Sequence, residues 1–251
     1  MVNLNFPAKS VALEARAPRV SSDVAPAGAG VRFFETIVNG KAAVARAPFD
    51  PSTFRDVART ILPVEFQGRE IKFEAHAYED DSASFQAMAL VRNIANGKDE
   101  TPIVRVHSGC VTGDIFHSLR CDCYQQLQKS LELLVASKKG AIIYLPHHEG
   151  RGIGLVNKIK AYAEQDRGLD TVDANLSIGA PVDARDYELA AKILKDLGFE
   201  QIRLMTNNPL KVEALGEYGI KVVERVEMVT TPSPYNERYL ATKRQRMAHK
   251  L

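Results

Sequence analysis

All three cysteines of the chain lie in one segment, HSGCVTGDIFHSLRCDC, at Cys110, Cys121 and Cys123. An odd set this tightly grouped reads as a metal or catalytic centre rather than a disulfide framework. Cys121 and Cys123 are separated by a single residue, too close for an unstrained disulfide. Thiolates suit zinc, and two arrangements are then open. In one, His107 or His117 completes a closed Cys₃His site that supports the fold. In the other, three thiolates leave the fourth position to water, whose pKa falls to about 7. Structural zinc sites mostly pair their ligands as C-x-x-C. The spacing here is C-x10-C-x-C, which leans slightly toward the catalytic arrangement.

Three further constellations could contact a ligand. HHEGRGIGLVNK is a glycine-rich turn opening a helix, so it offers free N–H groups and a positive dipole end to a phosphate or a purine edge. It matches neither the P-loop nor the dinucleotide fingerprint, and a tight strand-to-helix turn alone would account for its glycines. Glu149 and Arg151 add polar groups at its mouth, and a carboxylate accepts paired N–H donors from a purine edge. Asp183 and Arg185, in GAPVDARDYELA, stand at a helix entrance, where an N-cap and a solvated first-turn residue are commonplace. In LMTNNPLKVEAL a strand end runs into a helix with Thr206 and Lys211 beside it. Open α/β sheets bind ligands outside such carboxyl ends, and a hydroxyl and a lysine there suit a phosphorylated ligand.

The elements that must position these residues are legible from periodicity. FQGREIKFEAHAYED alternates like a half-buried strand, SFQAMALVRN gives a second, and Asn96-Gly97 marks a turn before a third, TPIVRVH. Thr112 and Asp114 can cap a helix carrying Ile115, Phe116, Leu119, Leu127, Leu131 and Leu134. That helix is kinked around the cysteines and ended by Gly140, before the buried strand AIIYL. GIGLVNKIKAYAEQ predicts a second helix, stopped at Gly168. RDYELAAKILKDLGF, QIRLMTNN, PLKVEALGEYG and IKVVERVEM then alternate helix and strand, which implies an α/β layer with parallel strands. Upstream, FFETIVNG reads as a short strand and STFRDVARTIL as a short helix. The expected fold is therefore α+β to α/β, a mixed sheet followed by that parallel layer. The expected organisation is an N-terminal extension over 1–60, partly flexible because 1–30 offers no periodic apolar face, a catalytic domain over 61–228, and a basic tail over 229–251.

Composition excludes several classes. The chain has 251 residues, 45% hydrophobic and 25% charged, an ordinary globular balance. No apolar run approaches the roughly 20 residues that span a bilayer, and the opening residues lack a secretory h-region, so a cytoplasmic protein without membrane contact is expected. The net charge of +2 is too small to argue for a nucleic-acid polymer as partner.

Together, RVHSGCVTGD, SLRCDC, EGRGIGLVNKIKAYA, the run LDTVDAN at 169–175, DARDY and TNNPLKVEAL resemble GTP cyclohydrolase II, in register from roughly Leu62 to Met247. The resemblance implies zinc- and magnesium-dependent hydrolysis of GTP. The products would be formate, pyrophosphate and 2,5-diamino-6-ribosylamino-4(3H)-pyrimidinone 5′-phosphate, in the first step of riboflavin synthesis by a homodimer. Carried over by position, Cys110, Cys121 and Cys123 would hold the zinc. Arg105, Val106, His107, Ser108, Gly109, Gln126, Glu149, Gly150, Arg151, Thr171, Thr206 and Lys211 would contact GTP. Asp183 would be the proton acceptor, Arg185 the nucleophile toward the α-phosphate, and Tyr162 a participant in ring opening. The 60-residue extension is too short for the dihydroxybutanone-phosphate synthase domain often fused ahead of this family. The chain departs from the family pattern at Gly109, commonly Glu or another polar residue, at His117 and Tyr124, commonly Gly, and in Pro146–His148 before EGR. These departures leave open a paralogue that stops at a formamidopyrimidine, or a non-catalytic, zinc-stabilised regulatory module.

Overall fold

The computed structural model describes residues 34–38, 41–45, 53–80, 85–94, 100–237 and 240–242. The Asn96-Gly97 turn, most of the N-terminal extension and the end of the basic tail lie outside them. A two-stranded antiparallel pair, β1 (Phe34–Val38) and β2 (Lys41–Ala45), comes first, β1 falling on the expected strand. The main sheet has seven strands: β3 (Arg55–Phe66), β4 (Arg69–Glu79), β5 (Gln86–Asn93), β6 (Ile103–Ser108), β7 (Lys139–Leu145), β8 (Gln201–Met205) and β9 (Lys221–Val226). They lie in the order β3-β4-β5-β7-β6-β8-β9. The first four pair antiparallel, while β7-β6-β8-β9 are parallel. This is the mixed sheet passing into a parallel α/β layer that the pattern predicts.

The helix expected over STFRDVARTIL is instead the start of β3. Pro63 would break a helix interior, whereas β3 is the sheet edge, where proline is tolerated. Val57, Thr60, Ile61 and Val64 add β-branched side chains that suit a strand. The hairpin to β4 turns on Gln67 and Gly68, both with positive φ (51° and 74°), as a two-residue turn matched to strand twist demands. Its far end is tied to the helical layer through Asp196, which accepts from the Tyr78 hydroxyl at 2.9 Å and pairs with the Arg59 guanidinium at 3.6 Å.

The kinked helix expected from Thr112 is two separate elements. Val111–Ile115 is a single π-helical turn, and α1 begins only at Cys123 and runs to Ala136. Ile115, Phe116 and Leu119 are consequently exposed rather than part of a buried stripe. Gly140 does not end the helix either: it is the second residue of β7, where a Cβ would sit 2.1 Å from the Ile103 carbonyl oxygen of β6. The helix ends through Ser137, whose hydroxyl donates to the Leu133 carbonyl at 2.9 Å.

α2 (Gly154–Asp166), α4 (Glu188–Asp196) and α5 (Pro209–Glu217) fall on the expected segments. α3 (Thr171–Ser177) does not correspond to any predicted helix, although Asp170 caps it by accepting from the N–H groups of Val172 and Asp173. One apolar cluster packs α4 and Leu215 of α5 against Val104, Val106, Ile143, Ile202 and Leu204 of the sheet. The other packs Leu131 and Leu134 of α1 against Phe73, Ile142, Met205 and Met228. Neither cluster contains a cysteine. The core therefore forms from the sheet and its helices, and it leaves the carboxyl ends of β6, β7 and β8 free to carry a site.

Candidate active site

Those three strand ends open into one cleft, with about 1030 Å³ of space including its mouth. Its wall brings together Cys110, Cys121 and Cys123 with Arg105, His107, Ser108, Gly109, Gln126, Gly150, Arg151, Tyr162, Thr171, Arg185, Thr206 and Lys211. Residues scattered over about a hundred positions of chain thus meet in one place. Val106, Glu149 and Asp183 are not on the wall. Val106 is fully buried in the core, and its carbonyl accepts from the Lys211 ammonium at 2.8 Å. Asp183 stands behind Arg185.

The three sulfurs lie within 4.8 Å of one another, and Cys110 and Cys121 are 3.7 Å apart. None is in a disulfide. Hydrogen bonds from Cys121 and Cys123, aided by the Lys158 ammonium and against burial, hold Cys110 far below the ordinary thiol range. Donating to Cys110 pushes Cys121 up to about 11 and Cys123 well above its usual value. Within the trio Cys110 is thus the most acidic thiol, favoured by two S–H donors and an ammonium. Soft, clustered, dehydrated sulfur donors are the donor set that zinc prefers, so the residues fit that metal. No histidine completes them: among the described residues, no fourth His, Cys, Asp or Glu joins this group. His107 points its Nε2 at Asp114, 3.1 Å from each carboxylate oxygen. His117 stacks on Tyr124 with ring centroids 3.8 Å apart. Among the described residues the geometry groups the three cysteines and leaves both histidines out.

Local sequence explains how the sulfurs converge. The Asp114 carboxylate accepts from the Cys110 backbone N–H at 2.9 Å and from the Tyr144 hydroxyl at 3.1 Å, which fixes the π-helical turn on the end of β6. Gly113 within that turn has no room for a side chain: a Cβ would lie 2.8 Å from Cys121 Sγ and 3.0 Å from Cys110 Sγ. Gly109 is equally confined, its Cβ position being 3.0 Å from Pro146 Cα and 3.1 Å from the Leu145 carbonyl oxygen. Two of the departures from the family pattern, Gly109 and Pro146, are thus in contact.

The Glu149 turn is folded against α2. Gly150 and Arg151 both have positive φ, and a Cβ on Gly152 would lie 3.0 Å from the Ala184 carbonyl oxygen. Glu149 is held from two sides. Its Oε1 binds the Lys158 ammonium at 2.6 Å and its Oε2 accepts from the Val111 N–H at 2.6 Å. Lys158, one helical turn before Tyr162 on α2, also reaches Cys110 Sγ at 3.0 Å. Sequence reasoning did not single out this lysine; its signal is a basic residue four positions before Tyr162, on the same helix face.

On the opposite wall, Arg105 donates to the Met205 carbonyl at 3.0 Å and to Gln126 Oε1. Gln126 Nε2 donates to Asp122 at 2.6 Å. Arginine only donates and a carboxylate only accepts, so the amide orientation is forced. Asp122, fully buried between two cysteines, is a second residue that the sequence reading missed. Arg185 grips Asp183 in a fork, Nε donating to Oδ1 at 2.8 Å and Nη2 to Oδ2, while Nη1 reaches the Ser108 hydroxyl at 3.4 Å. Although burial raises the Asp183 pKa, the hydrogen bond and charge of Arg185 outweigh it and leave the carboxyl below its ordinary value. Thr206 is buried at the end of β8, its hydroxyl accepting from the Asn208 N–H at 3.0 Å.

A mixed α/β fold whose cleft, at the parallel strand ends, gathers three clustered thiols, two buried lysines and a forked arginine has the arrangement of an enzyme, with groups that could hold a metal. The sequence model of one family, GTP cyclohydrolase II, matches residues 55–227, and the chain belongs to that family. It is 46% identical over 193 residues to GTP cyclohydrolase-2 of Acinetobacter baumannii (strain SDF), covering 77% of this chain and 94% of that one. It is 48% identical over 178 residues to the riboflavin biosynthesis protein RibBA of Aquifex aeolicus, covering 70% of this chain and 43% of the relative. RibBA of Salinispora tropica is 48% identical over 196 residues, covering 78% and 48%. The chain thus spans less than half the length of these RibBA relatives. No helix among the described residues is long and apolar enough to cross a membrane.

Proposed function

We propose that this protein hydrolyses GTP, releasing formate and pyrophosphate to give 2,5-diamino-6-ribosylamino-4(3H)-pyrimidinone 5′-phosphate. The reading places it at the first step of riboflavin synthesis, in the cytoplasm and as a homodimer. The observation that carries it is the meeting of three cysteine sulfurs with Arg185, Lys211 and Thr206 in one cleft. Cys110, Cys121 and Cys123 would hold the zinc, which when bound supplies a Lewis acid and an activated water for opening the imidazole ring. Arg185, Lys211, Arg151, Ser108, Thr206 and Thr171 would bind the triphosphate and ribose by charge and hydrogen bonds. Tyr162, on the α2 face shared with Lys158, would present its hydroxyl to the opening ring. Gly109, Gly150, His107 and the Arg105–Gln126 pair would shape the purine side of the cleft.

Asp183 and Arg185 work as a unit in this scheme. A guanidinium has a pKa above about 12 and is a poor nucleophile. It becomes competent toward the α-phosphate only as its proton passes to an adjacent base. While Arg185 is charged, Asp183 stays a carboxylate of depressed basicity. Loss of that charge during attack raises its basicity, so the carboxylate that aligns the fork is also the acceptor for its proton. Magnesium has no cage here. Asp122 is the only carboxylate among the lining residues, and it is bonded to Gln126, so the ion would be carried by the triphosphate's own oxygens and water.

The test is to quantify formate and pyrophosphate from GTP by mass spectrometry. The wild-type chain should yield both in equal amounts. Cys123→Ser should lose formate and keep some pyrophosphate release, whereas Arg185→Ala should lose pyrophosphate. Pyrophosphate without formate in the wild type would assign a formamidopyrimidine product instead. Neither product would sink the cyclohydrolase reading and favour a non-catalytic module.

A further inference from the structure

We propose that Lys158 is a positioning residue for the thiolate centre, supplying the buried positive charge without which the three cysteines retain their metal poorly. The proposal rests on the zinc reading given above and adds a residue to it. Lys158 is 7% exposed, with Nζ held 3.0 Å from Cys110 Sγ and 2.6 Å from Glu149 Oε1. A buried ammonium is stable only when paired, and here one partner is a metal ligand itself. The second partner leads back to the same place, because the other Glu149 oxygen accepts from Val111 N–H at 2.6 Å, the residue after Cys110. Lys158 is thus bonded to the ligand sulfur directly, and through Glu149 to the turn that carries it.

The charge balance shows why this matters. Three thiolates around a divalent cation leave one net negative charge, and Glu149 brings a second into the same buried space. Lys158 is the positive charge in direct contact with both. With it removed, the metal-bound state would hold two uncompensated negative charges in a poorly solvated site. The loss therefore falls on the metal-bound state, and the sign is weaker retention.

Zinc retention is measured by competition with a chromophoric chelator on the full chain, for wild type, Lys158→Met, Lys158→Arg, Glu149→Gln and the Lys158→Met/Glu149→Gln pair. Thermal melts of the metal-free forms run alongside. Lys158→Met should surrender zinc about 10- to 100-fold more readily, the usual cost of removing a group that supports a metal ligand. Lys158→Arg should recover part of that loss. Glu149→Gln should hold zinc at least as well as wild type, because it frees the ammonium for Cys110. The pair should regain most of what Lys158→Met loses. If Lys158→Met retains zinc like wild type and only melts lower, Lys158 is a structural cation and the proposal falls. It falls equally if Glu149→Gln and Lys158→Met weaken retention alike. Wild-type protein that binds no zinc overturns the thiolate-site reading itself, and the proposal with it.

Discussion

At the scale of single residues, the sharing of protons among the cysteines has a measurable consequence. Cys110 is held far below the ordinary thiol range, while Cys121 is pushed up to about 11 and Cys123 well above its usual value. A divalent metal displaces thiol protons, so zinc uptake at neutral pH should release about two protons per site. Calorimetry in buffers of different ionisation enthalpy counts them. Affinity should rise with pH until Cys121 titrates; release of three protons would contradict a pre-formed thiolate. The Asp183–Arg185 fork behaves oppositely. Its carboxyl pKa is depressed in the folded state, so its contribution is fully present above the ordinary carboxylate value of about 3.9 and is lost only as pH falls through the lower folded value. Asp183→Asn should therefore remove activity across the neutral range without shifting the acid limb of folding by more than the one fork accounts for. A pH–rate profile set beside an acid-unfolding curve checks both halves.

At the scale of elements, two glycines set tolerances that differ in kind. Gly113→Ala inserts a methyl between the sulfurs, so it should abolish metal retention while the far-ultraviolet circular dichroism of the sheet survives. Gly140→Ala instead pushes a methyl against the β6 backbone at 2.1 Å, and should cost about 1–3 kcal/mol or more of stability, read from urea unfolding. These cases also show what could be read from sequence. Strands β4 to β9 and helices α2, α4 and α5 were legible because apolar periodicity and flanking Gly and Pro agreed. The β3 segment was misread because Ser52 and Thr53 mimic a helix start, and the edge position that admits Pro63 is a property of the sheet, not of the segment. Gly140 was misread because its reason is a neighbour 37 positions away, Ile103. The thiol cluster was legible from spacing alone. Lys158 and Asp122 were not, since their roles arise from contacts across elements that no local pattern encodes. The partners of both Glu149 oxygens, which come from α2 and the π-helical turn, are equally beyond a local pattern.

At the scale of the whole molecule, neither apolar cluster draws on the three clustered cysteines. Stripping the metal should therefore lower the melting midpoint, since a native-state ligand is withdrawn, but leave one cooperative transition. Calorimetric scans before and after chelation check this, and loss of the transition would mark the cysteines as structural. A different consequence follows from Arg105 and Lys211, two cations buried at 6% and 4% exposure around one cleft in a chain whose net charge is only +2. The field that a polyanion meets is focused at the cleft mouth rather than spread over the surface. Encounter with a nucleoside triphosphate should consequently slow as ionic strength rises, over a range where departure of the bound ligand is almost unaffected. In stopped-flow terms, salt should act on how often the ligand arrives, and hardly at all on how long it stays.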